Sequence, residues 1–198
     1  MSRESGARTP GAPRRGSGLL RAVGRAGLRV WGWRIAGDVP HEPRFVAIVA
    51  PHTSNWDFVI GVLVMFALDL DVHWFGKDSL FRGPLGALLR GLGGRPVRRD
   101  SPEGVVADVA DTIREAPAFL LALAPEGTRK RVDHWRTGFY HIALRAGVPI
   151  VPVWLDWHRR EAGIGDAMQP TGDLAADIAA LQRLYRPEMA RNRAGFWR

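Results

Sequence analysis

Between residues 45 and 155 short apolar runs alternate with longer stretches in which apolar residues recur every three or four positions. The runs near 45–50, 72–76, 95–98, 118–123 and 148–155 have the length and composition of buried strands. The stretches near 57–68, 83–91, 103–115, 137–146 and 173–186 have helical periodicity. Strands separated by helices predict an α/β fold: a single domain with a mostly parallel or mixed buried sheet flanked by helices. Ligand sites in such folds gather at the carboxyl ends of the strands.

An N-terminal amphipathic helix precedes this pattern. From Leu19 to Ile35 a helical wheel collects Arg21, Arg25 and Arg29 on one side. Leu19, Val23, Ala26, Val30 and Trp33 lie opposite, flanked by Leu20 and Trp31. Arg34 breaks the apolar face, and the three glycines of the segment weaken the helix. Residues 1–18 are rich in Ser, Gly, Pro and Arg and read as a flexible basic tail, since they offer little to bury. The expected division is therefore a tail over 1–18, an amphipathic helix over 19–37 and the domain proper over 38–198. Twin arginines at 14 and 15 do not make a secretion signal, because Arg21, Arg25 and Arg29 interrupt the apolar stretch it would need. The longest uncharged apolar run, residues 58–68, is about half of the roughly 20 residues that cross a bilayer.

Charge sharpens the picture. The net charge is +8, which calls for an anionic partner. Arg3, Arg8, Arg14, Arg15, Arg21, Arg25, Arg29 and Arg34 face only Glu4 within residues 1–37, so the N-terminal arm holds almost all of the excess. The absence of cysteine removes disulfides, thiolate nucleophiles and Cys-based metal sites. Lys77 and Lys130 are the only lysines among 28 cationic side chains.

Two titratable residues sit where the first strand run ends, in "APHTSNWDF": His52 and, five positions on, Asp57. With His52 in a strand-to-helix loop and Asp57 in the first helical turn, the carboxylate can fold back onto Nδ1 and leave Nε2 free as a base. Asp57 can equally cap the helix that follows, with His52 a satisfied loop residue. The two roles are compatible. A second strand end carries "APEGTR", residues 124–129, in which Glu126 is an acceptor, Gly127 admits close backbone approach and Arg129 is a forked anion donor. In the stretch 76–100, Lys77 and Arg99 bracket a glycine-rich segment with Gly93 and Gly94. A short strand, "GVPIVPV", follows the helix near 137–146.

In order and separation these four segments resemble the glycerolipid acyltransferase family, whose best-known members are the 1-acylglycerol-3-phosphate acyltransferases. His52 to Asp57 is similar to the family's His-x-x-x-x-Asp block, and Gly93 to Arg99 to its Gly-rich block ending in Arg. "APEGTR" matches the Phe-Pro-Glu-Gly-Thr-Arg block except at Ala124, and Val148 to Val151 matches the Val-Pro-Ile strand. Pro51 stands where the family often has Asn.

The resemblance implies transfer of a fatty acyl group from a thioester, acyl-CoA or acyl carrier protein, to a hydroxyl of lysophosphatidic acid or a similar lysolipid. His52 would be the general base and Asp57 its partner. Lys77, Arg99, Glu126, Gly127, Thr128 and Arg129 would bind substrate, the cations on phosphate and Glu126 on a glycerol hydroxyl or on the arginines. No metal and no cofactor beyond the acyl donor is expected. The amphipathic helix would lie on a membrane surface, placing the protein in the cytoplasm at the inner face of the cell membrane. Other acceptors, an aminolipid or a glycolipid, remain open. A basic nucleic-acid-binding module is the reading of another class, but the charge lies in the arm and no nucleic-acid motif is present. A hydrolase would use the same pair with water, yet the chain has no G-x-S-x-G elbow.

Overall fold

The computed structural model describes residues 11–97 and 102–197. Its core is the run Arg44–Ala50, in which six of seven residues are apolar. As strand β2 (β1 being Arg34–Ala36) it turns Val46, Ile48 and Ala50 to one face of a sheet and Phe45 and Ala47 to the other. Strands β3 (Val72–Lys77), β4 (Gly94–Val97), β5 (Phe119–Leu123), β6 (Ile150–Asp156) and β7 (Glu161–Ile164) complete a seven-stranded sheet in the order β1-β7-β6-β2-β5-β3-β4. β6, β2, β5, β3 and β4 are parallel, while β7 runs antiparallel to β6. The carboxyl ends of five strands therefore share one edge.

Helices cover both faces. On the first lie α4 (Pro102–Glu115), α5 (Gly138–Ala146) and α6 (Leu174–Gln182), whose Ile113, Phe139, Ile142 and Leu181 pack with Val46, Ile48 and Leu121. On the second lies α2 (Asn55–Ala67), overlain by α1 (Gly18–Val30). α2 is apolar around most of its circumference because sheet and α1 enclose it. α3 (Gly83–Gly91) links β3 to β4.

Three expectations change. The N-terminal helix ends at Val30, not Ile35: Gly32 takes φ +68°, and Arg34–Ala36 leave as β1 to pair with β7. Arg34 is thereby out of the helix and ion-paired to Glu161 at 2.8 Å. The apolar face drawn on the wheel is not the packed one. Gly24 and Leu28 are buried, whereas Leu19, Val23 and Val30 stay exposed. A Cβ on Gly24 would stand 2.4 Å from the Ala67 nitrogen and 2.6 Å from the Leu63 oxygen, so glycine is what lets the two backbones meet. The tail reading also yields over residues 11–17, which run against the domain: Ala12 is buried, and Arg15 donates to the Leu70 and Gly91 carbonyls at 3.2 and 3.0 Å.

Candidate active site

The parallel neighbours β2 and β5 end at the same edge, and the loops leaving them meet there. In the first loop Ser54 caps α2, its hydroxyl accepting from Trp56 N at 3.2 Å, while Asp57 closes the capping box. Asp57 Oδ2 accepts from both Thr53 N and Ser54 N at 2.7 Å. The same oxygen stands 3.5 Å from His52 Nδ1. One carboxylate thus both caps α2 and faces the imidazole. The carboxylate is buried, 1% exposed, while the imidazole keeps 25% of its surface open. Burial pushes His52 below the ordinary imidazole pKa, Asp57 pulls it up and Arg129 pushes it down, with the net direction downward. The ring is neutral at neutral pH, the state a proton acceptor needs.

Glu126 lies elsewhere than expected. Only 2% exposed, its carboxyl turns inward, and Oε1 accepts the His52 backbone N–H at 2.9 Å. Such a group cannot reach a substrate hydroxyl; it ties the second loop to the first. Its other oxygen, Oε2, has no partner among the described residues, and burial pushes the carboxyl pKa up to about 7, against the pull of the His52 N–H.

Beyond Glu126 the segment turns outward: Gly127 and Arg129 are exposed and Thr128 is half-buried. Gly127 adopts φ +63°, and the space its side chain would fill holds Arg136, with Cδ 2.6 Å from an added Cβ. Thr128 Oγ1 accepts from Lys130 N at 3.3 Å within the turn. The exposed Arg129 guanidinium donates to Asn55 Oδ1 at the start of α2, beside the dyad. Lys77 ends β3 and is exposed, two strand spacings from β2 or roughly 10 Å across the sheet. Arg99 lies outside the described residues. The site thus joins His52, Asp57, Glu126 and Arg129 directly, with Lys77 farther along the rim.

Sequence reasoning missed the groups that complete the loop from a distance. Trp157 Nε1 donates to Asp57 Oδ1 at 2.8 Å across a separation of 100 residues. Thr53 Oγ1 accepts from Asn192 N at 3.2 Å. Nothing in the spacing of single residues signals either. Among the described residues no cluster of three His, Cys, Asp or Glu side chains could hold a metal ion.

The family description "Acyltransferase" matches residues 35–156, which contain both loops. The chain is 31% identical over 112 residues to the 1-acyl-sn-glycerol-3-phosphate acyltransferase of Escherichia coli, covering 53% of this chain and 44% of that protein. It is 25% identical over 134 residues to the Haemophilus influenzae protein of the same name, covering 63% and 54%. The chain spans about half the length of the curated relatives it matches. The crystal structure of the 1-acyl-sn-glycerophosphate acyltransferase PlsC from Thermotoga maritima superposes with a TM-score of 0.57 at 17% identity, over 83% of this chain and 76% of that one. At that identity the likeness is one of fold.

Proposed function

This chain belongs to the acyltransferase family, and from that premise we propose that it moves a fatty acyl group from a thioester donor to a hydroxyl of lysophosphatidic acid or a similar lysolipid, with His52 as general base. The observation that carries the reading is a half-open imidazole whose Nδ1 faces a buried carboxylate at 3.5 Å while an arginine stands alongside.

An alcohol is a weak nucleophile at neutral pH. As its oxygen attacks the thioester carbonyl, His52 Nε2 takes the hydroxyl proton, an effect typically worth about 10²- to 10⁴-fold. Asp57 holds the Nδ1–H tautomer and stabilises the imidazolium. Collapse of the tetrahedral adduct breaks the C–S bond, and the imidazolium returns its proton to the departing thiolate. With no cysteine in the chain, no acyl-cysteine forms, and direct attack in a ternary complex is the simplest course. Arg129 binds the acceptor phosphate, with Lys77 and Arg99 as the further cations and Gly127 and Thr128 shaping the turn beneath it. The donor is acyl-CoA or acyl carrier protein.

The acceptor reaches the site from a membrane surface. No described helix is long and apolar enough to cross a membrane. Leu19, Val23 and Val30 on α1, with Trp56 and Val59 on α2, are instead exposed. Arg21, Arg25 and Arg29 on the other side of α1 would each contribute on the order of 1 kcal/mol at an anionic leaflet. These exposed apolar and basic side chains support a reading in which the protein works at the inner face of the cell membrane. Replacing Leu19, Val23 and Val30 together by Ser should reduce sedimentation with anionic vesicles severalfold and leave the thermal midpoint in place; unchanged sedimentation contradicts the placement.

The reaction is tested with purified protein, labelled acyl-CoA or acyl carrier protein, and a panel of lysolipids, the products identified by mass. Acceptor-dependent diacyl product is expected. Release of free fatty acid without an acceptor, or no consumption of any thioester, overturns the assignment.

A further inference from the structure

We propose that Trp157, clamped by Arg191, is a positioning residue for the His52–Asp57 pair, an inference that rests on the general-base reading above. Of the two Asp57 oxygens, Oδ2 is held by two backbone N–H groups and faces His52. Oδ1 has a single donor among the described residues, the Trp157 indole N–H at 2.8 Å. The terminal torsion of an aspartate is soft, so this bond stops the carboxylate from rotating its charge away from Nδ1. An indole has one N–H and no acceptor, and Trp157 spends it here.

The ring is itself fixed on two sides. Trp33 meets it edge to face at 4.9 Å. The Arg191 guanidinium lies 4.4 Å from its centroid and 5.2 Å from that of Trp56, which in turn contacts Trp31 at 5.3 Å. The Arg191 charge is directed at two aromatic faces. Drawing electron density from the indole makes its N–H a better donor. The backbone fastens the same segment: Trp157 N donates to Met189 O at 3.0 Å and Asn192 N to Thr53 Oγ1 at 3.2 Å. Trp157 and Arg191 both lie beyond residues 35–156, the part that matches the family.

The groups facing His52 are Asp57 from α2, Glu126 and Arg129 from the loop after β5, and, through the indole, Arg191. Trp157→Phe keeps the ring packing and removes only the N–H. We expect kcat to fall roughly tenfold or more, with KM within about twofold. The His52 imidazole titration, followed by NMR, should move upward as charge concentrates on the oxygen beside Nδ1. Arg191→Gln should move both readouts in the same direction by less, and Arg191→Lys should recover part of the loss. Wild-type kcat together with an unmoved His52 titration in Trp157→Phe overturns the proposal. Should that variant not fold, the wild-type protein decides: the Trp157 indole N–H resonance must shift with the His52 midpoint, and a resonance indifferent to that titration overturns it. The NMR readouts need no substrate, so a protein that turns over no lysolipid would refute the reaction while still deciding the clamp.

Discussion

Two loops leave adjacent strands at the same edge of the sheet and are built in opposite ways. In residues 51–57 the Asp57 carboxylate is buried and takes three hydrogen bonds from protein donors. In residues 124–131 Pro125 and Glu126 turn inward, while Gly127, Arg129, Lys130 and Arg131 are exposed. On the proposed reaction the contrast separates two tasks. A base must be held in one orientation before substrate arrives, because misplacement costs rate. A cation that captures a lipid phosphate gains from a long side chain in water, which can follow its ligand.

Substitutions in the two loops should therefore fail differently. His52→Ala gives the largest effect, a loss of about 10²- to 10⁴-fold in kcat with the circular dichroism spectrum retained; near-normal turnover would remove the base from the scheme. Asp57→Asn comes next. In either amide orientation an NH2 meets existing donors, Thr53 and Ser54 N–H on one side or Trp157 N–H on the other. Stability should fall by about 1–3 kcal/mol and kcat by roughly 10²-fold or more, read by denaturant titration and steady-state kinetics. A stable variant of wild-type rate would show that the buried loop has no part in the reaction. Arg129→Ala, on the exposed loop, should raise KM for the lysolipid roughly 10- to 100-fold, the worth of a charge-assisted hydrogen bond, with a smaller change in kcat. A dominant kcat effect there would erase the division of labour.

The same contrast explains what could be read from the chain. The strands of the shared edge were legible because buried parallel strands are continuous apolar runs, and His52, Asp57 and Arg129 stand just beyond two of them. β1 and β7 were not: three and four residues long, with Arg34 and Glu161 among them, they carry no such run. The face of α1 was misjudged because hydrophobicity favours Leu19, Val23 and Val30, whereas the packed contact uses glycines to bring backbone onto backbone. Glu126 is legible as an acid at a strand end but not as an inward one, since its partner is a backbone N–H 74 residues away. Trp157 and Arg191 were invisible for the same reason: only the folded chain brings them to Asp57.

The most direct test of the central claim is the pH dependence of kcat/KM for lysophosphatidic acid, in the wild-type protein and in Glu126→Gln. Burial holds His52 below its ordinary imidazole value of 6.5 and pushes Glu126 up to about 7. A general base works in its neutral form, so log(kcat/KM) should rise with unit slope through a single midpoint below 6.5 and then level, and that limb should persist in Glu126→Gln. A limb with its midpoint near 7 that disappears in Glu126→Gln would contradict the assignment of His52 as the base.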